Sequence, residues 1–332
     1  MNDFEQYEDY EARFDPMRTD RKARRQRKPQ ANHKAKKQQN AVIEEIADAS
    51  SEETGFKTTY VPGRFEEGWL LDSIRPFYDR GLITDVLYRV KGGKEANVYC
   101  CAASPETGLE LLAAKVYRPR MFRNLRNDKM YREGRELLTA DGKLGKPDDR
   151  MIRAVGKKTA YGQQVAHTSW LMYEYTSLER LYSAGAAVPR PISSAENALL
   201  MGYCGDAAQA AQALNEIALD EDEAKPLFAE ALRNIEIMLQ NGMIHGDLSA
   251  YNILYWDGAI TLIDFPQVAN ARINSQAFKL LQRDITRVCE YFDAQGVDSE
   301  PDTITRWMWK RYVELDERLR KADLSALLGE DE

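Results

Sequence analysis

The first 62 residues differ from the rest of the chain in their pattern of apolar and polar positions. Residues 1–62 are rich in Lys, Arg, Gln, Glu and Asp, with few large apolar side chains and no sustained helical stripe. Such a segment cannot bury enough apolar surface to offset the entropy lost on ordering, so we predict a disordered arm. Apolar residues then recur at helical spacing over 66–80, which predicts an amphipathic helix at the start of the folded region.

Short apolar runs separated by turn residues follow this helix. The runs cover 83–90, 96–102 and 111–117, and Gly92-Gly93 separates the first two. Runs of this length that are bounded by glycine and proline are typical of strands. They predict an antiparallel meander with a glycine turn between its first two strands.

Helical patterns dominate the remainder of the chain. Residues 118–168 are polar, and we predict part loop and part helix there. The further predicted elements are a helix over 169–184, a linker at 189–191, a strand over 197–203, a helix over 224–241, a hairpin at Asp257-Gly258 and helices over 276–328.

Strands followed by helices predict an α+β fold of two lobes. A small β-rich N-lobe, with its leading helix and a long loop, would cover 63–203, and a C-lobe with C-terminal helices would cover 204–332. A cleft between lobes is a common place for a ligand site, so we expect the functional residues to lie there.

Charge is distributed unevenly along the chain. The net charge is −7, yet residues 18–37 hold ten Lys and Arg against one acid, Asp20. A basic arm of this kind can bind RNA phosphates by releasing counterions, and a solvated tail without a partner fits the sequence equally well.

Two classes of protein are disfavoured by the composition. The chain has no apolar run of about 18 residues and no charged-then-apolar leader, which predicts a cytoplasmic protein without a membrane segment. Its four cysteines have neither C-x-x-C spacing nor a histidine cluster, so we expect reduced thiols rather than a zinc site.

The strongest chemical signal follows the helix predicted over 224–241. Asp247 and Asn252 are five residues apart in a His-Gly-Asp-x-x-x-x-Asn segment, and Asp264 ends the apolar strand of the next hairpin. This spacing is typical of a kinase catalytic loop, in which the aspartate orients the attacking hydroxyl. Asn and Asp oxygens are ligands that Mg²⁺ prefers, so Asn252 and Asp264 are candidate metal ligands.

Two charged residues of the N-lobe suit phosphate binding. Lys115 is preceded by the apolar residues of the third predicted strand, and a lysine at a buried position of a strand is costly unless it is paired. Glu174, in the next predicted helix, is the candidate partner. The turn at Gly92-Gly93, followed by Lys94, could bring backbone N–H groups to phosphates, although an ordinary hairpin turn explains the glycines equally well.

Other conspicuous residues have more ordinary interpretations. Tyr203 and Cys204 are expected in the lobe connection, where adenine can bond to the backbone. His245 is expected to brace the loop rather than act as a base. Trp307 and Trp309 are expected to pack rather than to form a binding platform.

These motifs together resemble the RIO family of atypical protein kinases and ATPases, over about residues 66–295. The resemblance is carried by Gly93-Lys94-Glu95-Ala96-Asn97-Val98-Tyr99, Ala114-Lys115-Val116-Tyr117, Gly246-Asp247-Leu248-Ser249-Ala250-Tyr251-Asn252-Ile253-Leu254 and Leu262-Ile263-Asp264-Phe265-Pro266-Gln267. It implies a two-lobed protein-kinase-like fold with a reduced C-lobe that lacks the usual activation loop.

The resemblance also implies chemistry and partners. The protein would be an ATP- and Mg²⁺- (or Mn²⁺-) dependent serine/threonine kinase or ATPase, with a protein substrate and a role in small-subunit ribosome maturation. The implied roles are phosphate binding by Lys94 and Lys115, pairing by Glu174, a hinge over Met201 to Tyr203, catalysis by Asp247, and metal binding by Asn252 and Asp264. Asp264 could also accept phosphate as an aspartyl-phosphate.

Two alternatives remain open at this point. A small-molecule phosphotransferase of the aminoglycoside type shares the His-Gly-Asp-x-x-x-x-Asn element, although Phe265-Pro266-Gln267 replaces its usual acidic continuation after the second aspartate. A nucleotide-gated scaffold that binds RNA or ribosomes through residues 18–37 would use the same fold without rapid turnover.

Overall fold

The structure is a computed structural model, and it describes residues 58–63, 66–93, 95–118, 133, 137–139, 142–143, 149–157 and 159–315. The predicted disorder of residues 1–57, the basic region 18–37 and the proposed role of Lys94 lie outside these residues. The same holds for the predicted helix beyond residue 315.

The described chain falls into two compact units of very unequal size. Residues 62–69 belong to one unit, in which the N–H groups of Glu66 and Glu67 donate to the carbonyl of Gly63 at 2.7 and 3.0 Å. Residues 58–61 and those from 70 onward form the other. Within this second unit, Tyr60 N–H donates to the Val86 carbonyl at 2.8 Å, so residues assigned to the arm from sequence contact the first strand.

A five-stranded antiparallel sheet forms the N-lobe, in the order β1-β2-β3-β5-β4. Helix α1 (Glu67–Asp79) precedes the strands β1 (Ile83–Gly92), β2 (Ala96–Ala103), β3 (Leu111–Tyr117), β4 (Pro191–Ser194) and β5 (Ala198–Gly202). The predicted meander is confirmed. The predicted linker at 189–191 is wrong at its end, because Pro191 begins β4, an edge strand where a missing N–H is tolerated.

The helix of the N-lobe is longer than its apolar pattern indicates. Helix α2 covers Asp149–Gly156, and α3 covers Ala160–Ser183, whereas the sequence predicted a start at 169. The first turns of α3 are polar, so periodicity does not reveal them. The Thr159 side chain marks the true start, since it accepts a hydrogen bond from the Gly162 N–H at 3.1 Å.

The C-lobe consists of helices around short strands and one continuous apolar core. Its elements are β6 (Gln212–Ala213), α4 (Glu221–Gln240), β7 (Met243–Ile244), β8 (Ile253–Trp256), β9 (Ala259–Leu262), β10 (Ala269–Asn270), α5 (Ala277–Asp293) and α6 (Pro301–Trp309), which continues as a π-helical segment, Lys310–Glu314. The hairpin at Asp257-Gly258 is confirmed. The α+β fold class predicted from sequence is confirmed, whereas the division at 203 and 204 stays a prediction.

The two C-terminal tryptophans differ in environment. Trp309 packs edge-on against Phe278 with ring centroids 5.3 Å apart, as expected. Trp307 instead keeps half of its surface exposed, with the Arg311 guanidinium 5.6 Å from its ring centroid. None of the helices in the described ranges combines the length and apolar character needed to cross a membrane.

Candidate active site

Lys115 on β3 is held by a glutamate from α3. Its Nζ donates to Glu174 Oε1 at 2.6 Å, and the Tyr117 hydroxyl donates to Glu174 Oε2. Glu174 is 3% exposed, so its charge is offset by these two donors rather than by water. The contact between Lys115 and Glu174 predicted from sequence is present, and Tyr117, which the sequence analysis gave no role, completes it.

The same ammonium group reaches the other lobe. Lys115 Nζ also donates to Asp264 Oδ1, so two carboxylates share one cation. Burial would lower the pKa of Lys115, but the carboxylates of Asp264 and Glu174 outweigh it and raise the pKa well above its usual value. Lys115 is therefore a permanently charged residue at neutral pH.

Asp264 occupies an unusual backbone position shortly after the end of β9. Its φ is +72°, in the left-handed region that few residues other than glycine adopt and that often marks functional sites. Its side chain is 41% exposed, whereas Glu174 is buried. Burial would raise the pKa of Asp264, but the Lys115 ammonium holds it below its usual value, so the group is a carboxylate at neutral pH.

The loop after β7 presents Asp247. His245 braces this loop, since its Nδ1 accepts the Asp247 N–H at 3.3 Å while its Nε2 donates to the Ile263 carbonyl at 3.1 Å. The predicted structural role of His245 is therefore confirmed. Gly246 has a φ of +83°, which lets the chain turn sharply between His245 and Asp247.

Asn252 lies against both aspartate segments. Its side-chain Nδ2 donates to the Asp247 carbonyl at 2.9 Å, and its own carbonyl accepts the Ile263 N–H at 3.0 Å. The hydrogen bond from Nδ2 fixes the orientation of the amide group. The amide oxygen Oδ1 is the atom suited to bind a cation.

Helix α5 supplies two site residues that the sequence analysis did not identify. The Asp284 carboxylate accepts the N–H groups of Gly246 at 2.7 Å and Leu248 at 3.2 Å, on either side of Asp247. Arg287 donates from Nη1 to Asp247 Oδ1 at 2.6 Å. Burial raises the pKa of Asp284, although Arg283 and the Gly246 N–H act in the opposite direction.

A sequence signal for these two residues exists. Asp284 and Arg287 lie on the apolar stripe of α5, near Leu280 and Val288, and charged residues are seldom buried there unless they are paired. The stripe shows that both charges are buried. It does not show that their partner is a loop about forty residues earlier in the chain.

The remaining predicted residues are Met201, Tyr203 and Lys94. Met201 on β5 is half-buried and packs against the cores of both lobes. The Tyr203 hydroxyl is 2.9 Å from the Tyr88 hydroxyl on β1. Lys94 is outside the described residues, whereas Gly93 is within them and its N–H donates to the Ala96 carbonyl at 2.9 Å.

The oxygen atoms of the site suit a hard cation that keeps much of its water. Among the described residues no group of three or more His, Cys, Asp or Glu side chains could hold a metal ion. Mg²⁺ is usually bound by one or two carboxylates together with substrate phosphates. The exposed carboxylate of Asp264 and the oriented amide of Asn252 fit that donor set.

The chain matches a known protein family. The RIO domain model matches residues 97–304, which is more than half of the chain. The matched region contains the described site residues Lys115, Glu174, Asp247, Asn252 and Asp264.

Similar proteins include archaeal and fungal kinases. The chain is 28% identical to the RIO-type serine/threonine-protein kinase Rio1 of Haloferax volcanii over 219 residues, which cover 65% of this chain and 66% of that protein. It is 29% identical to the serine/threonine-protein kinase RIO1 of Chaetomium thermophilum over 235 residues, 68% of this chain and 42% of that protein. The chain thus spans less than two thirds of the length of these relatives.

A solved structure shares the fold. The Rio2 kinase–ADP/Mg²⁺–phosphoaspartate complex from Chaetomium thermophilum matches with a TM-score of 0.51 and 19% sequence identity. The match covers 88% of this chain and 82% of that one, so both lobes take part in it.

Proposed function

Because the chain belongs to the RIO domain family, we propose that it is an ATP- and Mg²⁺-dependent serine/threonine protein kinase or ATPase. The proposal rests on one observation: the ammonium group of Lys115 contacts the carboxylates of both Glu174 and Asp264. A lysine fixed by a helix glutamate and facing a carboxylate of the other lobe is the arrangement by which kinases hold nucleotide phosphates.

Each proposed role follows from the surroundings of the residue. Lys115, held on one side by Glu174, would bind the nucleotide phosphates in place of its contact with Asp264. Asp264, released from Lys115, and Asn252 would hold Mg²⁺, which when bound neutralises phosphate charge. Met201 to Tyr203 would accept the adenine at the lobe connection, and Lys94 would contact phosphate from the turn before β2.

Asp247 would orient the attacking group. The backbone is fixed by hydrogen bonds on both sides of Asp247, and the side chain is 7% exposed, so the position of this residue in the loop is fixed. Positioning of this kind, rather than covalent work, is the main task of the protein in phosphoryl transfer.

We also propose that Asp264 can accept the phosphoryl group. A carboxylate oxygen of Asp264 would attack the γ-phosphorus, the bond from γ-phosphorus to the β–γ bridging oxygen would break, and ADP would leave with the electron pair. The exposure of Asp264 supports this role, since an attacking oxygen must reach the nucleotide. The phosphoaspartate in the Chaetomium thermophilum Rio2 complex is a precedent in a protein of the same fold.

Incubation with γ-labelled ATP tests this function. We expect Mg²⁺-dependent labelling of the protein that hydroxylamine removes, because an acyl phosphate is cleaved by hydroxylamine and a Ser or Thr phosphate is not. Asp264→Asn should abolish this label. Asp257→Asn is the matched control, since Asp257 also has a positive φ but lies in the exposed turn between β8 and β9.

The outcomes separate the candidate activities. Hydroxylamine-stable label on the protein or on an added protein would indicate transfer to Ser or Thr. Label on small metabolites would favour a small-molecule phosphotransferase. If neither labelled product nor ADP forms in the presence of Mg²⁺, the proposed function is rejected.

We further propose that the basic arm binds RNA, which would fit a role in small-subunit ribosome maturation. Residues 18–37 contain ten cationic side chains, and neutralised phosphates release counterions. RNA affinity should therefore fall steeply with salt and be lost when residues 1–40 are removed. Unchanged affinity in the truncated protein would reject this role.

A further inference from the structure

Two oppositely charged side chains are buried one turn apart on α5. Asp284 is 2% exposed and Arg287 is 1% exposed, and both lie on a helix face that is otherwise apolar. Withdrawing charges from water is costly. Replacing a buried ion pair with apolar residues of similar volume often leaves the stability of a protein unchanged or increases it. Their presence therefore calls for a role other than stability.

The two residues hold different parts of the same loop. Asp284 accepts two main-chain N–H groups, those of Gly246 and Leu248, and so fixes the backbone of Asp247. Arg287 contacts the side chain of Asp247 itself, donating from Nη1 to Oδ1 at 2.6 Å. The backbone and the carboxylate are thus fixed by separate groups.

We propose that Arg287 is a positioning residue that fixes the carboxylate of Asp247 for phosphoryl transfer. This inference rests on the proposed function. With its backbone held by Asp284, the Asp247 carboxylate could still rotate about its terminal bond. Anchoring Oδ1 to a guanidinium removes that freedom and sets the direction in which the carboxylate meets an attacking hydroxyl.

The chemistry of arginine suits this task better than that of lysine. A guanidinium is planar and directional, and it keeps its charge even when buried. An ammonium group on a flexible stem would preserve the charge but not the fixed direction. The proposal therefore predicts graded effects for a neutral and a cationic replacement.

The test compares Arg287→Met with Arg287→Lys. We expect Arg287→Met to lower kcat about 100-fold, the loss typical of a misplaced reacting group, with a KM for ATP within about threefold of wild type. Arg287→Lys should recover at least about tenfold of that loss, because the charge remains beside Asp247. A merely structural role would not produce this split between kcat and KM or this recovery.

Lys279→Met is the control variant. Lys279 lies on the same helix, and its side chain is exposed. Its kcat should stay within about threefold of wild type, because the change removes a cation from α5 but leaves Asp284 and Arg287 in place. If Arg287→Met does not fold, Arg287→Gln replaces it with the same expected loss.

Two kinds of failure are distinguishable. If Asp247→Asn abolishes turnover but Arg287→Met leaves it within about threefold of wild type, the role of Arg287 is overturned and the proposed function stands. The same holds if Arg287→Met and Arg287→Lys reduce turnover equally. Wild-type protein without Mg²⁺-dependent turnover overturns the proposed function and the inference together.

Discussion

Two groups of charged residues in this protein solve the problem of burying charge in different ways. The lysine cluster comprises Lys115, Tyr117, Glu174 and Asp264, and the aspartate cluster comprises Asp247, Arg283, Asp284 and Arg287. In the lysine cluster one member, the Asp264 side chain, is 41% exposed. In the aspartate cluster no side chain is more than 10% exposed.

This difference indicates which contacts can be exchanged. Water and ions can reach Asp264, so Lys115 can give up that contact for phosphates while Glu174 keeps it in place. The aspartate cluster is much less accessible, since its side chains are at most 10% exposed, and breaking a buried pair leaves an uncompensated charge. We infer that the lysine cluster changes partners during a reaction cycle and that the aspartate cluster stays fixed.

The largest expected effect distinguishes the clusters by their response to Mg²⁺. Asp264→Asn and Asp247→Asn should each lower kcat on the order of 10³-fold, about 4 kcal/mol, because each removes a carboxylate that we propose acts at the reacting phosphate. Only Asp264→Asn should raise the Mg²⁺ concentration needed for half-maximal rate. Titration of ATPase rate with Mg²⁺ measures both quantities. An equal shift in Asp247→Asn would contradict the assignment of Asp264 as the exchangeable group.

The next effect concerns stability. Arg287→Met should lower the free energy of unfolding by about 3 kcal/mol, since Asp247 is left buried beside an apolar side chain. Lys115→Met should cost less, about 1–2 kcal/mol, because Asp264 can be solvated and Tyr117 still donates to Glu174. Urea unfolding of both variants gives the comparison.

A double variant checks the origin of that cost. Adding Asp247→Asn to Arg287→Met should restore part of the lost stability, because the uncompensated charge is gone. No recovery would mean that packing, not charge, explains the loss. A larger loss in Lys115→Met than in Arg287→Met would reverse the comparison between the clusters.

A smaller effect is expected at the edge of the lysine cluster. Tyr117→Phe removes the hydroxyl that donates to Glu174 while Lys115 remains, so the loss should be about 1 kcal/mol in unfolding free energy. Turnover should fall less than about tenfold. Tyr161→Phe is the control, since Tyr161 is 54% exposed on α3, the helix that carries Glu174, and its change should stay within about 0.5 kcal/mol. Equal losses would show that the hydroxyl of Tyr117 contributes nothing.

The lysine cluster could largely be predicted from sequence, and the aspartate cluster could not. Lys115 lies within an apolar strand and Asp264 closely follows one, so local patterns identify them, and the pairing with Glu174 follows from a familiar spacing of elements. Asp247 is local to its loop, but its partners Asp284 and Arg287 come from a distant helix. No pattern in the sequence predicts that α5 contacts this loop.

The errors in the fold have similar physical origins. Strands of two residues, such as β7 and β10, are too short to show alternation, and the polar first turns of α3 show no helical stripe. Pro191 marks a chain break in most contexts, yet an edge strand tolerates it. In each case tertiary contacts determine the structure where the local pattern is silent.

The smallest expected effect is the dependence of stability on pH, and its sign is opposite for the two clusters. Lys115 holds the pKa of Asp264 below its usual value of 3.8, so the stability that Asp264 contributes is present above pH 3.8 and is lost as the pH falls through the lowered value. Burial raises the pKa of Asp284 above 3.8, so its contribution is present below pH 3.8 and is lost as the pH rises through the raised value.

Unfolding free energies of wild type, Asp264→Asn and Asp284→Asn, measured by urea titration from pH 3 to 7, test these opposite signs. The difference between wild type and Asp264→Asn should shrink on acidification, by less than about 1 kcal/mol because Asp264 is partly solvated. The difference between wild type and Asp284→Asn should instead shrink as the pH rises. Differences that move in the same direction would mean that the two carboxylates share one kind of environment. The distinction between an exchangeable and a fixed cluster would then fail.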